Sequence, residues 1–496
     1  MKEIGHTIGG RRLPGTGGRR GPVFDPATGE QTAEVRLATK ADVDAAVQAA
    51  SHALPGWRAT SLSQRAAILF AIRERLSAHR EAIAAAIVAE HGKVPSDALG
   101  EVTRGLENVE YACGIPSHLQ GAFSHEVSTG VDVLSVRQPL GVVAGITPFN
   151  FPAMVPMWMF AAAIACGNTF VLKPSEKDPS VSLVLADLMA EAGLPPGVFN
   201  VVQGDGEAVE ALIAHPDVRA VSFVGSTPVA RAVYDSATRQ GKRVQALAGA
   251  KNHMVVLPDA DIGTAADAAV SAAFGSAGER CMAVSVVVAV GAIGDALVGA
   301  VRERLGAVRV APGTDPAAEM GPLITAEHRN RVAGYIDSGR AQGAAVVVDG
   351  REHPACARKG FFLGPSLLDH VTPEMDCYRD EIFGPVLCVV RAATFDEALA
   401  VVNRSPWGNG AAIFTRDGGA ARRFQFEVEA GMVGVNVPIP VPVGSYSFGG
   451  WKASLFGDAP VYGPEGIRFY TRAKVVTSRW PDPATSAIDL GLPHSR

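Results

Sequence analysis

A chain of 496 residues exceeds the length at which one hydrophobic core keeps growing, and its 47% hydrophobic and 19% charged residues read as two or more well-packed globular units. The formal charge of -5, from 45 Lys and Arg against 50 Asp and Glu with no long block of either sign, excludes the concentrated basic face that nucleic acid or an anionic membrane requires. Cysteines at 113, 166, 281, 356, 377 and 388 show no Cys-x-x-Cys spacing, which argues against a disulfide framework and a structural zinc; no metal site is expected.

The basic start is not followed by an apolar run, so no signal peptide is expected. Arg11, Arg12, Arg19 and Arg20, spaced by glycines and free of stacking aromatics, read as a solvated surface stretch. Asp25-Pro26-Ala27-Thr28-Gly29-Glu30 is a turn between two extended pieces. From Thr39 to His91 three helical patterns follow, with Thr39 or Asp42 suited to cap the first and Ser61 or Ser63 the second. Ala66, Ile68, Leu69, Ile72 and Leu76 recur at helical spacing and give one apolar docking face. A further helix from about Ser96 to Ala112 carries Glu101, Arg104, Glu107 and Glu110, more polar groups than a buried core helix tolerates.

Val131 to Arg137 alternates like a strand, and from Gly141 the pattern becomes strand then helix, repeatedly. The strands are Val142 to Ile146, Thr169 to Leu172, Asn200 to Val202 and Ala220 to Phe223; the helices are Pro152 to Ile164, Ser180 to Ala192, Glu207 to Ile213 and Pro228 to Tyr234. Ala153 to Cys166 is too short to span a bilayer and is interrupted by Pro156, so it reads as a buried helix. Short β-rich runs between helices imply a parallel sheet covered on both sides, with ligands beyond the C-terminal strand ends. A second α/β unit follows, with strands at Met254 to Val256, Ser285 to Ala289, Ala345 to Val348, Phe362 to Leu367, Val386 to Arg391 and Ala411 to Phe414. Gly466 to Trp480 reads as an extended tail whose edge pairs with something, plausibly a neighbouring subunit.

Candidate chemistry lies at the turns. Asn150, in Thr147-Pro148-Phe149-Asn150-Phe151-Pro152, is either a turn residue or an amide donor to an oxyanion formed at Cys281. Cys281 is either an inert core thiol or a nucleophile, and the charges of Glu279 and Arg280 just before it favour an unusual environment. Lys173 and Glu176, just past a strand, can donate to and accept from ribose hydroxyls, or simply form a charged surface turn. Gly225 and Ser226 join a strand to a helix whose first amides suit a phosphate; an ordinary turn is the bland alternative.

Taken together these residues resemble the aldehyde dehydrogenase superfamily, and the likeness runs from His6 to Trp480. It rests on the Asn150 turn, Lys173-Pro174-Ser175-Glu176, Phe223-Val224-Gly225-Ser226-Thr227, Gly278-Glu279-Arg280-Cys281 and Glu381-Ile382-Phe383-Gly384-Pro385, whose order is far more specific than any one alone. The resemblance implies an α/β fold with a Rossmann-like NAD-binding domain over 1–127 and 146–252, a catalytic domain over 253–445, and a small β oligomerisation element over 128–145 and 464–488. It also implies that Cys281 is the nucleophile, that Asn150 and the Cys281 N–H form the oxyanion site, and that Phe149, Lys173, Glu176, Gly225, Ser226 and Glu381 bind NAD.

One departure is informative. Most hydrolytic members carry Glu-Leu-Gly-Gly-Lys before the cysteine, and this glutamate activates water; here Leu247-Ala248-Gly249-Ala250-Lys251 puts an isobutyl group that accepts no proton in its place. That is similar to the coenzyme A-acylating branch, the methylmalonate-semialdehyde dehydrogenases, as are Gly249 to His253, Gly278 to Ala283, Val435 to Pro442 and Tyr462 to Trp480; the substrate-side motif here is Ser447-Phe448-Gly449-Gly450. In that branch two arginines hold the substrate carboxylate, and their matching positions are Arg104 and Arg280, for which pairing with neighbouring acids is the alternative.

The branch implies NAD-dependent oxidation and decarboxylation of methylmalonate or malonate semialdehyde, from valine or inositol breakdown, to propionyl- or acetyl-coenzyme A, NADH and carbon dioxide. The runner-up is a hydrolytic enzyme releasing free acid with Glu381 as base. A cytoplasmic homodimer or homotetramer without a transit peptide is the accompanying expectation.

Overall fold

Fully buried runs set the architecture: Val142–Ile146 and Thr169–Lys173 are covered on both faces, as strands flanked by helices must be. The computed structural model describes residues 2–480 and 483–485, so residues 481, 482 and 486–488 of the expected tail element lie outside the described residues. The first large sheet is ordered Leu455–Phe456, Arg243–Leu247, Val218–Val224, Val142–Ile146, Thr169–Lys173, Phe199–Val201, His6–Ile8, Arg11–Leu13. Its five central strands are parallel; the pairings of Leu455–Phe456, His6–Ile8 and Arg11–Leu13 are antiparallel.

The second sheet is ordered Ala345–Val348, Ser366–Asp369, Val386–Ala392, Val284–Val290, Asn252–Val256, Gly410–Phe414, Met432–Val435, parallel except for its Ala345–Val348 edge. A small antiparallel sheet joins Thr471–Arg479 to Val131–Pro139 and takes in Ala122–Ser128 as well. Local signals at the helix starts hold: Thr39 with Asp42, and Ser61 with Gln64, form reciprocal capping boxes. Met154–Ala165 is a helix buried all round. Among the described residues no helix is long and apolar enough to cross a membrane.

Three expectations change. The tail does not begin as a strand: Gly463–Phe469 is a helix with Pro464 in its first turn, burying Ile467 and Phe469, and the strand starts at Thr471. The stretch from Phe362 is not a strand until Ser366, because Pro365 has no N–H to give a ladder and the Gly364 N–H is taken by the Gly350 carbonyl. The helix Pro95–Cys113 does carry a buried charge, since Glu101 is 3% exposed and ion-paired to the equally buried Lys93.

Candidate active site

A cleft of about 790 Å³ opens between the C-terminal strand ends of the first large sheet and the segments that lead into the strands of the second, and Phe149, Asn150, Gly225, Ser226, Cys281 and Glu381 all line it. Six of the ten sequence candidates therefore converge on one cavity, at the sheet edge where α/β folds bind ligands.

Cys281 follows a tightly wound segment. Ser276 and Ala277 adopt left-handed backbone, and Gly278, at φ 75°, lies so close to the Gly384 carbonyl that a Cβ would sit 2.3 Å from its oxygen. The Cys281 carbonyl accepts the side-chain amides of Asn252 at 2.9 Å and Asn409 at 3.1 Å, which pins the backbone beneath the thiol. Burial pushes the thiol up to about 12, and the nearby Glu381 carboxylate adds to this. The neighbouring Arg280 guanidinium is paired with Asp97 at 2.6 Å. Glu279 is fully buried, points to the Ile324 N–H at 3.2 Å, lies 3.4 Å from His328 Nε2, and is raised to about 8 by burial.

Asn150 ends the turn that leaves Val142–Ile146, and is buried at the cleft wall. Phe149 meets Phe383 edge-on at 5.9 Å between centroids, with Lys177 Nζ 4.8 Å from its centroid on the ring face. Gly225 donates its N–H to the Leu247 carbonyl, and a Cβ there would run into the Phe223 ring. Ser226 precedes the helix Thr227–Arg239 and its side chain does not cap it, leaving the helix start turned to the cleft. The Thr227 hydroxyl accepts the Gly249 N–H and the Trp407 indole N–H. Glu381 accepts the Ala250 N–H at 2.9 Å, and burial raises its carboxyl to about 7.

The other four candidates lie outside the cleft lining. Lys173, at the end of its strand, is buried and 3.3 Å from Glu176. Arg104 is held by the Glu107 carboxylate at 2.7 Å and by the Pro442 carbonyl at 2.8 Å. Arg280 shares a much smaller second cavity with Cys281. Both arginines thus have acidic partners, the alternative the sequence left open.

Sequence reasoning missed Lys177, His328, Arg331 and Trp407, which line the cleft. Lys177 follows directly on the Lys173–Glu176 motif and could have been taken with it. His328 and Arg331 are three apart on the helix Ala326–Ala341, and nothing local distinguishes them from any solvated helical face. His328 donates from Nε2 to the Phe383 carbonyl at 2.7 Å, and burial lowers it to about 4, so it is neutral.

A sequence profile of the aldehyde dehydrogenase family matches residues 14–476. Malonate-semialdehyde dehydrogenase of Pseudomonas aeruginosa is 54% identical over 487 residues, covering 98% of each chain. Malonate-semialdehyde dehydrogenase 2 of Geobacillus kaustophilus is 49% identical over 480 residues, covering 97% of this chain and 99% of its own. Among solved structures, methylmalonate-semialdehyde dehydrogenase from Oceanimonas doudoroffii superposes with a TM-score of 0.96 at 54% identity, over 98% of this chain and 99% of its own. The NAD complex of a Sinorhizobium meliloti 1021 protein, provisionally assigned as a methylmalonate-semialdehyde dehydrogenase, gives 0.96 at 52% identity with the same coverage.

Proposed function

The chain belongs to the aldehyde dehydrogenase family, and from that premise we propose that it is an NAD-dependent, coenzyme A-acylating malonate- or methylmalonate-semialdehyde dehydrogenase. The observation that carries this reading is Leu247, buried at the position from which hydrolytic relatives present a water-activating glutamate. The names of the relatives and the NAD held by a structural neighbour support it.

The cleft suits a dinucleotide. It has the size of a cofactor site, an uncapped helix start beside Gly225 for a pyrophosphate, and in Glu381 a carboxylate for ribose hydroxyls. Lys173 and Glu176, at the strand end beside it, are assigned to the adenosine ribose. NAD bound there supplies the acceptor for hydride.

Cys281 releases its thiol proton to solvent in the cleft and its sulfur bonds to the aldehyde carbon, which moves the carbonyl electron pair onto oxygen. The Asn150 amide and the Cys281 backbone N–H hold the oxyanion, and the oxidised adduct is a thioester on Cys281. In a β-carboxy thioester the carbonyl receives the electron pair released when carbon dioxide leaves, and protonation of the resulting enolate gives the propionyl or acetyl thioester. Arg104 and Arg280 are assigned to the substrate carboxylate before that step. The thiol of coenzyme A then displaces Cys281 and carries away the acyl group, a step that needs no activated water.

Residues 1–127 and 146–252 form the NAD-binding domain in this reading, 253–445 the catalytic domain, and 128–145 with 464–488 an oligomerisation element. Assembly into a dimer or tetramer is supported by the outer strand Thr471–Arg479, where Val475 is 64% exposed. A cytoplasmic enzyme of valine or inositol breakdown is the corresponding cellular role.

Mass analysis of the product decides the central point. Malonate and methylmalonate semialdehyde, each given with NAD and coenzyme A, are expected to yield acetyl- and propionyl-coenzyme A, with slow turnover when coenzyme A is omitted. Rapid release of free acid without it would overturn the reading in favour of hydrolysis.

A further inference from the structure

A buried charge pair grips both ends of the turn that carries Asn150. Lys93 Nζ donates to the Asn150 carbonyl at 2.7 Å and to Glu101 Oε2 at 2.9 Å, while Glu101 Oε1 accepts the Ala153 and Met154 N–H groups at 2.8 and 3.1 Å. Those two amides sit at the start of the helix Met154–Ala165. Between the ends, Lys93 Nζ stands 4.4 Å from the Phe151 ring centroid. Lys93 is 1% exposed and Glu101 3%.

The loop that supplies Lys93 is itself fixed by close backbone approach. A Cβ at Gly321 would lie 2.2 Å from the Gly92 carbonyl oxygen, and one at Gly313 2.8 Å from that of Lys93. Lys93 is therefore presented by a rigid support, and its stem has little freedom to follow a wandering turn.

Among the described residues no group hydrogen-bonds the Asn150 side-chain amide. Its direction depends on the backbone that carries it, and that backbone is held at the Asn150 carbonyl by the Lys93 ammonium. Fold stability alone does not account for the pair, because an ion pair taken out of water recovers little more than its desolvation cost and apolar replacements serve equally well. Geometry does account for it: a donor placed a few tenths of an ångström off the developing oxyanion loses much of its effect on the transition state.

We infer that Lys93, held by Glu101, is a positioning residue that aims the Asn150 amide at the reacting carbonyl oxygen. This rests on the reading of Asn150 as the oxyanion donor.

A double-mutant cycle separates the two. The single-turnover rate of NADH formation is measured for the full-length enzyme, Asn150→Ala, Lys93→Met and the double variant, with NAD affinity and melting temperature recorded for each. Asn150→Ala is expected to slow the step about 100-fold, and Lys93→Met about 10-fold with semialdehyde KM and NAD affinity within about twofold of the parent. In the Asn150→Ala background, Lys93→Met should cost less than about twofold, because the amide it aims is gone. An equal factor in both backgrounds, or a loss confined to KM, overturns the inference. Full activity of Asn150→Ala overturns the oxyanion reading itself, a separate result. Should Lys93→Met fail to fold, Glu101→Gln keeps the carbonyl that caps the helix and removes both the charge and the acceptor that hold Lys93, and the same cycle with it decides.

Discussion

Glu381 accepts the Ala250 N–H at 2.9 Å, which lays its carboxylate across the loop that follows Leu247. Gly249 makes this approach possible, since a Cβ there would lie 2.6 Å from Glu381 Oε2. The cleft thus keeps a carboxylate near Cys281, but it is anchored to backbone and comes from the second sheet, whereas Leu247 ends a strand of the first.

That carboxylate sets a pH dependence. Burial raises Glu381 to about 7, and only the ionised form accepts two ribose hydroxyls. The kcat/KM for NAD should climb as pH rises through about 7, and Glu381→Gln should remove this limb and lower the plateau about 10-fold. Profiles of parent and variant that keep the same limb would assign it to another group.

Cys281→Ala should eliminate NADH formation from every aldehyde while leaving NAD binding and the melting temperature close to the parent's. The small residue fits the site without strain, and the hydrogen bonds from Asn252 and Asn409 go to the residue's carbonyl, which alanine retains. Residual turnover above the contamination level would remove the covalent scheme.

Arg104→Leu and Arg280→Leu should each reduce kcat/KM for the acidic semialdehydes about 100-fold and for propionaldehyde less than about threefold, as expected for loss of a charge-assisted carboxylate partner. Arg280→Leu also strands Asp97, whose side chain is 12% exposed, so a lower melting temperature should accompany it. Equal losses on charged and neutral aldehydes would show that the two arginines serve only Glu107 and Asp97.

Glu279 offers a test on stability alone. Its folded-state value of about 8 lies above the ordinary 4.5, so the folded protein holds a proton that the unfolded chain releases. The resulting stabilisation is complete below pH 4.5 and is lost as pH climbs toward about 8, at a rate on the order of 1 kcal/mol per pH unit. Glu279→Gln mimics the protonated form and should match the parent near pH 5 yet outlast it by a growing margin up to about pH 8. Urea midpoints at several pH values check this; a constant gap across the range would mean the carboxyl titrates normally.

The alternation of strands and helices from residue 142 to 239 was legible because parallel strands buried on both faces are apolar throughout and have sharp ends. Arg243–Leu247 escaped notice because its fully buried Gln245 reads as polar; its amide is satisfied by Ser222 and by the Ala459 and Pro460 carbonyls, partners far away in sequence. Glu101 was visible as a charge, but its burial depends on Lys93 and the Ala153 amide, a meeting no local pattern encodes. The N-terminal arginines were rightly placed at the surface. That Arg11, Arg12 and Arg20 lie in strands, with Arg12 paired to Asp187 and Arg20 to Glu34, follows from tertiary neighbours alone. Phe149, Asn150, Gly225, Ser226, Cys281 and Glu381, all in short motifs, share the cleft lining, Lys173, Glu176, Arg104 and Arg280 do not, and His328 and Arg331 reach it only through the packing of their helix.

The short pairing of Leu455–Phe456 with Ala246–Leu247 has a mechanical consequence. The chain leaves the first sheet at Leu247, builds the second, and then returns to close the first sheet's open margin. Each half is thereby sewn to the other, and a proteolytic nick between 440 and 450 would leave the margin bare as well as severing the downstream segment. Limited digestion at that loop should collapse both halves in one cooperative event instead of liberating a stable nucleotide-binding fragment.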